Sequence, residues 1–184
     1  VIVWHNNGNK DREGIVRGKQ KEGNWTYYNG DGSIDFKFDY GPGLERVRIS
    51  ELEARDNIYY KIGKYRPYTG IVTESGGIKD YLLLGRFKSG KRDGQWVQWF
   101  RNGNKEIDGV YYRGKRHGKW SLWYEDGTMK ENGEFEMGEI NGTYKYWYNN
   151  GHVHMEQSYQ NGKPNGKWTW WYEHDHNLRF SDGQ

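Results

Sequence analysis

Gly70, Gly94, Gly118, Gly142 and Gly166 stand 24 residues apart, and from Gly94 onward each opens the same phrase, Gly-x-Trp/Tyr-x-x-Trp-aromatic. A fixed period of that length marks an array of one supersecondary unit, each unit burying its apolar side on its neighbours because it cannot do so alone. A thick aliphatic core is not available, because hydrophobic content is 33% against roughly 45–50% in ordinary compact domains. Instead the chain has 10 Trp, 16 Tyr and 6 Phe, with 27 Gly. Aromatic rings bury much area per residue and tolerate water at one end, so they can hold together a thin sheet with two wet faces.

The unit 94–117 reads as a hairpin. Residues 95–101 are rich in β-formers, Asn102-Gly103 is a hairpin-turn signal, and 105–112 form a second strand; Asp126-Gly127 and Asn150-Gly151 repeat the turn in register. A second turn at 114–117, matched at 90–93, 138–141 and 162–165, leads to the next hairpin. The array is an antiparallel meander. Two-residue turns place Trp96 opposite Gly109, Tyr111 opposite Gly94, Trp120 opposite Gly133, Phe135 opposite Gly118 and Tyr159 opposite Gly142, so that an aromatic ring covers each strand glycine. A type I turn with a glycine bulge is the alternative, and it shifts the pairing by one and exchanges the second-strand faces.

Period-2 alternation sorts the first strands into two faces. One carries Trp96, Gln98, Phe100, Trp120, Leu122, Tyr124, Tyr144, Tyr146, Tyr148, Trp168, Trp170 and Tyr172, and is the packing face. The other carries Val97, Ser121, Lys145 and Thr169 beside the row Trp99, Trp123, Trp147 and Trp171, with Glu106, Asp108, Lys130, Asn132, His154 and Glu156 from second strands. The tryptophan row has two readings: a stack that stabilises a sheet lacking a second layer, or a ladder of large, low-entropy side chains for an extended partner.

Upstream, residues 23–43 match the repeat and Trp4 with Gly8 looks like the end of an earlier unit. Ser50 and Glu53 form a capping-box pattern, predicting one helical turn near 50–55, and 58–60 another strand. The expected organisation is a short hairpin array over 1–45, a connector over 46–69 and the main array over 70–184, with both arrays in one continuous sheet as an option. The fold class is all-β: an elongated single-layer antiparallel sheet of repeated hairpins.

The units 94–117, 118–141 and 142–165, with their Trp-x-x-Trp-Tyr type core, Asn/Asp-Gly turn and Gly-Lys-x-x-Gly junction, resemble the variant MORN repeat. The connector Ile49-Ser50-Glu51-Leu52-Glu53-Ala54-Arg55, leading to Tyr59-Tyr60-Lys61 and Pro67-Tyr68-Thr69-Gly70, resembles the bacterial subfamily that supplies the antitoxin half of toxin–antitoxin pairs. The resemblance covers most of the chain and is strongest over 70–172. It implies a sheet of hairpins used for binding, in a superfamily linked to membrane lipids, protein scaffolding and, in the bacterial variant, toxin neutralisation. MORN repeats also precede catalytic domains, a lysine methyltransferase among them, but only residues 173–184 follow the array here.

Chemistry is sparse. No Gly-x-Ser-x-Gly, His-Glu-x-x-His or phosphate loop is present, so an enzyme is not expected. His152 and His154 lie two apart on one strand, and His174-Asp175-His176 falls at a turn, but no third ligand stands in phase and no metal or cofactor is expected. Cys is absent, which excludes disulfides and thiolate sites. The longest apolar run, 81–84, is far short of the roughly 18 residues of a membrane span. The chain opens at Val1, as a processed or trimmed form would, so the missing targeting signals leave cytoplasm, export and envelope open.

A net charge of +3 is too small to argue for nucleic acid, but the charge is blocked. Residues 86–119 hold ten Lys or Arg against three acids, and 125–141 hold six acids against Lys130 alone. Lys91, Arg92, Lys115, Arg116, Lys119, Lys163 and Lys167 recur at the inter-hairpin turns as a basic edge, interrupted by Glu139; solvated turn charges and a patterned partner surface are both consistent with it. The functional expectation is a non-catalytic protein-binding module, antitoxin- or immunity-like, its partner a toxin-like or scaffold protein. A second copy is another candidate cover for the aromatic face. The alternative is a scaffold attached to membrane lipid or envelope glycan through the basic edge or the tryptophan row.

Overall fold

The structure, a computed structural model, describes residues 1–76, 82–173 and 175–180, the last of these by their backbone. Tyr81, His174 and the tail from 181, on which parts of the apolar run, the terminal histidine turn and the array's end fell, lie outside the described residues. The architecture is all-β, built of hairpins. Among the described residues the helical content is one turn of 3-10 helix, at Ile49–Glu51.

The N-terminal array is a sheet of its own, in the order β1 (Ile2–Trp4), β2 (Lys10–Arg17), β3 (Gln20–Tyr28) and β4 (Ile34–Asp39). It does not continue into the main sheet, because Gly41 and Gly43, at φ 60° and 61°, turn the chain away beyond Tyr40. β5 (Arg46–Arg48) then pairs in parallel with β8 (Gly70–Glu74), a departure from the antiparallel meander that closes the edge of the main sheet. Between them, the 3-10 turn overlaps the start of the expected helical site, at 50–51. Arg48 N–H donates to the Glu51 carboxylate at 2.9 Å, two residues upstream of the expected Ser50 and Glu53, and 52–55 is strand. That strand, β6 (Leu52–Arg55), forms a hairpin with β7 (Ile58–Lys61).

The main sheet continues from β8 through β9 (Leu83–Lys88), with β10 (Lys91–Arg92) folded back on it, to β11 (Gly94–Trp99), β12 (Lys105–Tyr112), β13 (Lys115–Trp123) and β14 (Met129–Glu136). After β15 (Glu139–Ile140) come β16 (Gly142–Trp147), β17 (Val153–Gln160), β18 (Lys163–Tyr172) and the edge strand β19 (Asp175–Phe180).

The two kinds of turn exchange their expected chemistry. At 100–104 Phe100 N–H donates to Asn104 O and Gly103 N–H to Phe100 O, and only Gly103 of the Asn-Gly pair has positive φ (88°), as in a type I turn with a glycine bulge. Asn is there for a different reason: its side chain accepts from the N–H two residues on (Asn104 to Asn102 2.9 Å, Thr128 to Asp126 2.8 Å, His152 to Asn150 3.0 Å). The primed turns sit on the opposite edge, where Arg113-Gly114 has both residues at positive φ, 51° and 85°, and Tyr112 pairs with Lys115. The glycine bulge should have shifted the register. A second bulge, at Glu106 opposite Trp99, cancels it, and Trp96 still pairs with Gly109, Trp120 with Gly133 and Tyr159 with Gly142. The compensating bulge also moves side chains: Lys105, Met129 and Val153 now oppose Trp99, Trp123 and Trp147, while Lys130 lies over Tyr124 and His154 against Tyr148.

The glycine–aromatic device works between units and not within them. A Cβ built on Gly109 would fall inside the ring of Trp120 from the next hairpin, 2.7 Å from Cε3 and nearer still to Cδ2; Trp96 lies likewise over Gly85, Tyr144 over Gly133 and Trp25 over Gly14. Trp120 Nε1 donates to Val110 O and Trp25 Nε1 to Ile15 O, both at 3.0 Å. Each ring thus seats on the preceding unit's bare backbone, and Trp120 and Trp25 also bond to it. Where Gln157 replaces the glycine its Nε2 is buried without a partner, and Trp168 is only half-buried.

The rings form one ladder along this face: Tyr59, Phe87, Trp96, Tyr111, Trp120, Phe135, Tyr144 and Tyr146, neighbouring centroids 4.7–6.3 Å apart. Among the described residues, the sheet from β13 onward is a single layer. Over β8–β11 it is covered on both sides, by the β6–β7 hairpin with Tyr68 on the ladder face and by the N-terminal sheet on the other.

Candidate functional site

The ladder face is called B and the opposite face, with the tryptophan row, A. Face A is where the chain accepts another sheet. Ile71, Leu84, Val97 and Trp99 meet Trp25, Tyr27, Phe36, Phe38 and Tyr40 in one buried cluster, with Phe36 and Trp99 centroids at 5.5 Å. The incoming surface is the N-terminal sheet's own ladder face, since Trp25 there seats on Gly14. Face B of one array is therefore packed on face A of the other.

An ion cluster fixes this contact. Lys105 Nζ lies 2.6 Å from Asp35 Oδ1 on β4 and 2.7 Å from Asp108 Oδ2 on its own strand, and Gln95 Nε2 donates to Asp108 Oδ1. Asp35 occupies the bulge position of its hairpin, between Ile34, which pairs with Tyr28, and Phe36, which pairs with Tyr27, so that it reaches the docking side. Burial works against the Lys105 ammonium, yet Asp108 and Asp35 hold its pKa above the ordinary 10.5. Burial raises the Asp108 carboxyl above 3.8 against the pull of Lys105. Such a cluster adds little net stability, because desolvation offsets attraction, but it makes any other seating of the two sheets costly.

The tryptophan row is divided by this arrangement. Trp99 is 5% exposed beneath the N-terminal sheet. Trp123 borders the contact, with Lys105 Nζ 5.5 Å from its ring, and Trp123, Trp147 and Trp171 remain half-buried on open face A. Tyr124 Oη donates to Trp147 O (2.8 Å) and Tyr148 Oη to Trp171 O (3.0 Å), fixing the backbone of the row from the preceding unit. Around it stand Ser121 with Asn132 (2.8 Å), and Lys145 with Glu156 (3.0 Å).

The basic edge is also divided. Arg92 and Arg116 turn inward over the ladder, Arg92 Cζ 5.0 Å from the Trp96 ring and Arg116 Cζ 4.6 Å from Trp120 and 5.2 Å from Phe135. Lys91, Lys115, Lys119, Lys163 and Lys167 are exposed. Beside Lys91 a cleft of about 360 Å³ is lined by Lys88, Ser89, Asp93, Tyr112 and Arg113. No cluster of three potential metal ligands occurs among the described residues.

The sequence reading missed Lys105, Asp35 and Phe36 as interface residues. One signal was available: Lys10-x-x-Glu13 and Lys105-x-x-Asp108 both follow a Trp-x-x-Asn-Gly-Asn phrase, at Trp4 and Trp99.

A search of curated proteins returns no match. Among solved structures, a chain of the "Glycosylation Associate Protein (Gap123) complex from Streptococcus agalactiae" is 15% identical, the alignment covering 76% of this chain and 24% of that one, with a TM-score of 0.32. The chain thus spans about a quarter of that chain's length. The family model described as MORN repeat variant matches 116–137 and 140–161, two segments in the same 24-residue phase as the glycines. The chain carries two adjacent repeats of the MORN variant type, a class of generally non-catalytic binding repeats.

Proposed function

We propose that the chain is a non-catalytic protein-binding module whose open face A, along Trp123, Trp147 and Trp171, receives a partner protein. One observation carries the reading. The same face, one unit earlier, already holds a folded β-sheet through Trp99, with aromatic contact and an ion cluster. The open stretch repeats the tryptophan but not the Lys105 set, as Met129 with Asn132 and Val153 with Glu156 stand where Lys105 and Asp108 do, so it suits a surface other than the chain's own β4. An antitoxin- or immunity-like role, with a toxin-like partner, is the specific form of this reading that the connector's resemblance suggests.

The test is affinity capture from the native organism with wild type and a Trp123→Ser/Trp147→Ser variant of equal circular dichroism. One dominant protein retained by wild type and lost by the variant supports the reading. Equal recovery removes the row from the mechanism. Liposome flotation at low salt addresses the lipid alternative, which rests on the five exposed lysines; binding there that weakens steeply with salt would favour it.

A further inference from the structure

The loop that leaves β7 is tied down along its backbone and bare at its side chains. Lys64 N–H donates to Lys61 O (2.9 Å) across a turn with Gly63 at φ 72°, Ile62 N–H donates to Glu51 O (3.0 Å), and the Arg55 guanidinium donates to Lys64 O. Pro67 bridges to Tyr60, and Tyr68 N–H donates to Tyr59 O at 2.9 Å. Yet Ile62 is 60% and Tyr65 89% exposed. Arg55, besides holding the backbone, lies 3.9 Å from the Tyr60 ring and 5.9 Å from the Tyr65 ring. Beside Tyr65 opens a cleft of about 660 Å³, lined by Glu45, Lys61, Lys64, Arg66, Pro67 and Tyr68 among others. Its charges do not balance. Lys61 closes on Glu45 (2.5 Å) and Glu53 on Arg55 (3.7 Å), which leaves Lys64 and Arg66 as exposed cations with no acidic partner among the described residues.

We propose that this loop and its cleft form a second docking site, which takes a contiguous segment of a partner protein bearing an aromatic or aliphatic side chain flanked by carboxylates. The apolar side chain packs on Tyr65 and Pro67, and the carboxylates meet Lys64 and Arg66 at the rim. An exposed tyrosine beside an arginine is the residue chemistry that anchors protein interfaces. Ordering the loop before it binds removes an entropic cost of association, a gain realised only against a partner of matching shape. A fluid bilayer draws no such gain and cannot fill a cleft, so the geometry favours protein over lipid. The site lies with the β6–β7 hairpin on the face B side, away from the tryptophan row on face A, and stands whether or not that row binds a partner.

Selection of a random-peptide phage library on the immobilised full chain, followed by fluorescence anisotropy of the enriched peptides, tests this. Enriched sequences should combine an aromatic or aliphatic residue with Asp or Glu, and their affinity should fall as salt rises. Tyr65→Ser should weaken them about tenfold or more, and Lys64→Glu/Arg66→Glu likewise. All three residues are exposed, so both variants should keep wild-type circular dichroism and urea midpoint. Trp123→Ser/Trp147→Ser should bind these peptides as wild type does. The proposal is overturned by no enrichment, by enriched peptides lacking carboxylates, by peptides indifferent to Tyr65→Ser, or by equal loss in the tryptophan variant. Flotation with phosphatidylserine vesicles that Tyr65→Ser abolishes would overturn it too, by giving the loop to lipid.

Discussion

Replacing Gly109 by Ala tests whether units are joined by a ring seated on the preceding unit's backbone. Gly109 has an ordinary strand φ, so the backbone accepts Ala, and the penalty is steric: its Cβ would lie 2.7 Å from Trp120 Cε3 and closer to two other ring atoms. To reach ordinary contact near 3.5 Å the indole must lift by about 1 Å, against contacts worth a few tenths of a kcal/mol each that it forfeits together. It cannot lift freely. Tyr111 and Phe135 hold it edge-on at 4.9 and 6.3 Å, Arg116 covers it at 4.6 Å, and Nε1 is bonded to Val110 O. Losing the hydrogen bond (about 1 kcal/mol) and weakening the ring and cation contacts (about 0.5–1 each) gives a cost of about 2–4 kcal/mol. In a Trp120→Ala background the same substitution should be neutral or stabilise by about 0.5–1 kcal/mol, since Ala is the better strand residue once the ring is gone. Urea unfolding of the four proteins, followed by far-UV circular dichroism, yields the coupling energy. Trp96→Ala, which removes the cross-strand partner of Gly109, is the control and should not couple. Equal cost of Gly109→Ala with and without Trp120, or coupling to Trp96 instead, would refute the inter-unit seat.

Three further outcomes follow from the charged groups. Because the folded Asp108 pKa is raised, its contribution to stability is present below the ordinary 3.8 and is lost as pH rises through the higher folded value, so Asp108→Asn should flatten the stability profile over that acid window in urea titrations. Lys105, raised above 10.5, contributes stability up to that pH and loses it beyond, so Lys105→Met should remove a fall in stability above pH 10.5. Arg116→Gln should cost about 1–2 kcal/mol through lost cover of Trp120 and Phe135, while Lys115→Gln, one residue away and exposed, stays within about 0.5; equal effects would return Arg116 to the solvated edge.

The period, the hairpins and the glycine pairings were legible because they depend on local preference and on counting along the chain. What misled was the reason behind individual residues. Asn102 signals a primed turn when read as a dipeptide, but its side chain accepts from Asn104 N–H and so supports a type I turn, while the primed geometry went to Arg113-Gly114, which carries no such signal. Pairing survived only because two bulges cancel. Trp120 was correctly matched to a glycine position yet leans on the neighbour's glycine, since pairing fixes Cα partners and not the direction of a ring. Arg92 and Arg116 looked like edge charges because their position beside a turn does not show that their side chains, from β10 and from the start of β13, lie over the rings of the ladder. Face A at Trp99 read as half-wet for a comparable reason: nothing in one unit's sequence shows that residues 34–40 come back to cover it.

These differences separate what the repeat must keep from what it is free to change. Seating a ring on the preceding unit uses face B and one glycine, and it leaves the open stretch of face A past Trp99 without a structural task beyond carrying its tryptophans. Substitutions there alter what can dock without loosening the array. Lys105 with Asp108 takes Asp35 of the N-terminal sheet, Met129 with Asn132 offers a neutral surface, and Lys145 with Glu156 closes its charges on itself. A partner that recognises the open row must therefore read Trp123 and Trp147 together with that change of polarity. Asn132→Asp with Met129→Lys, which rebuilds the Lys105 set one unit later, should weaken a native partner while leaving the fold intact.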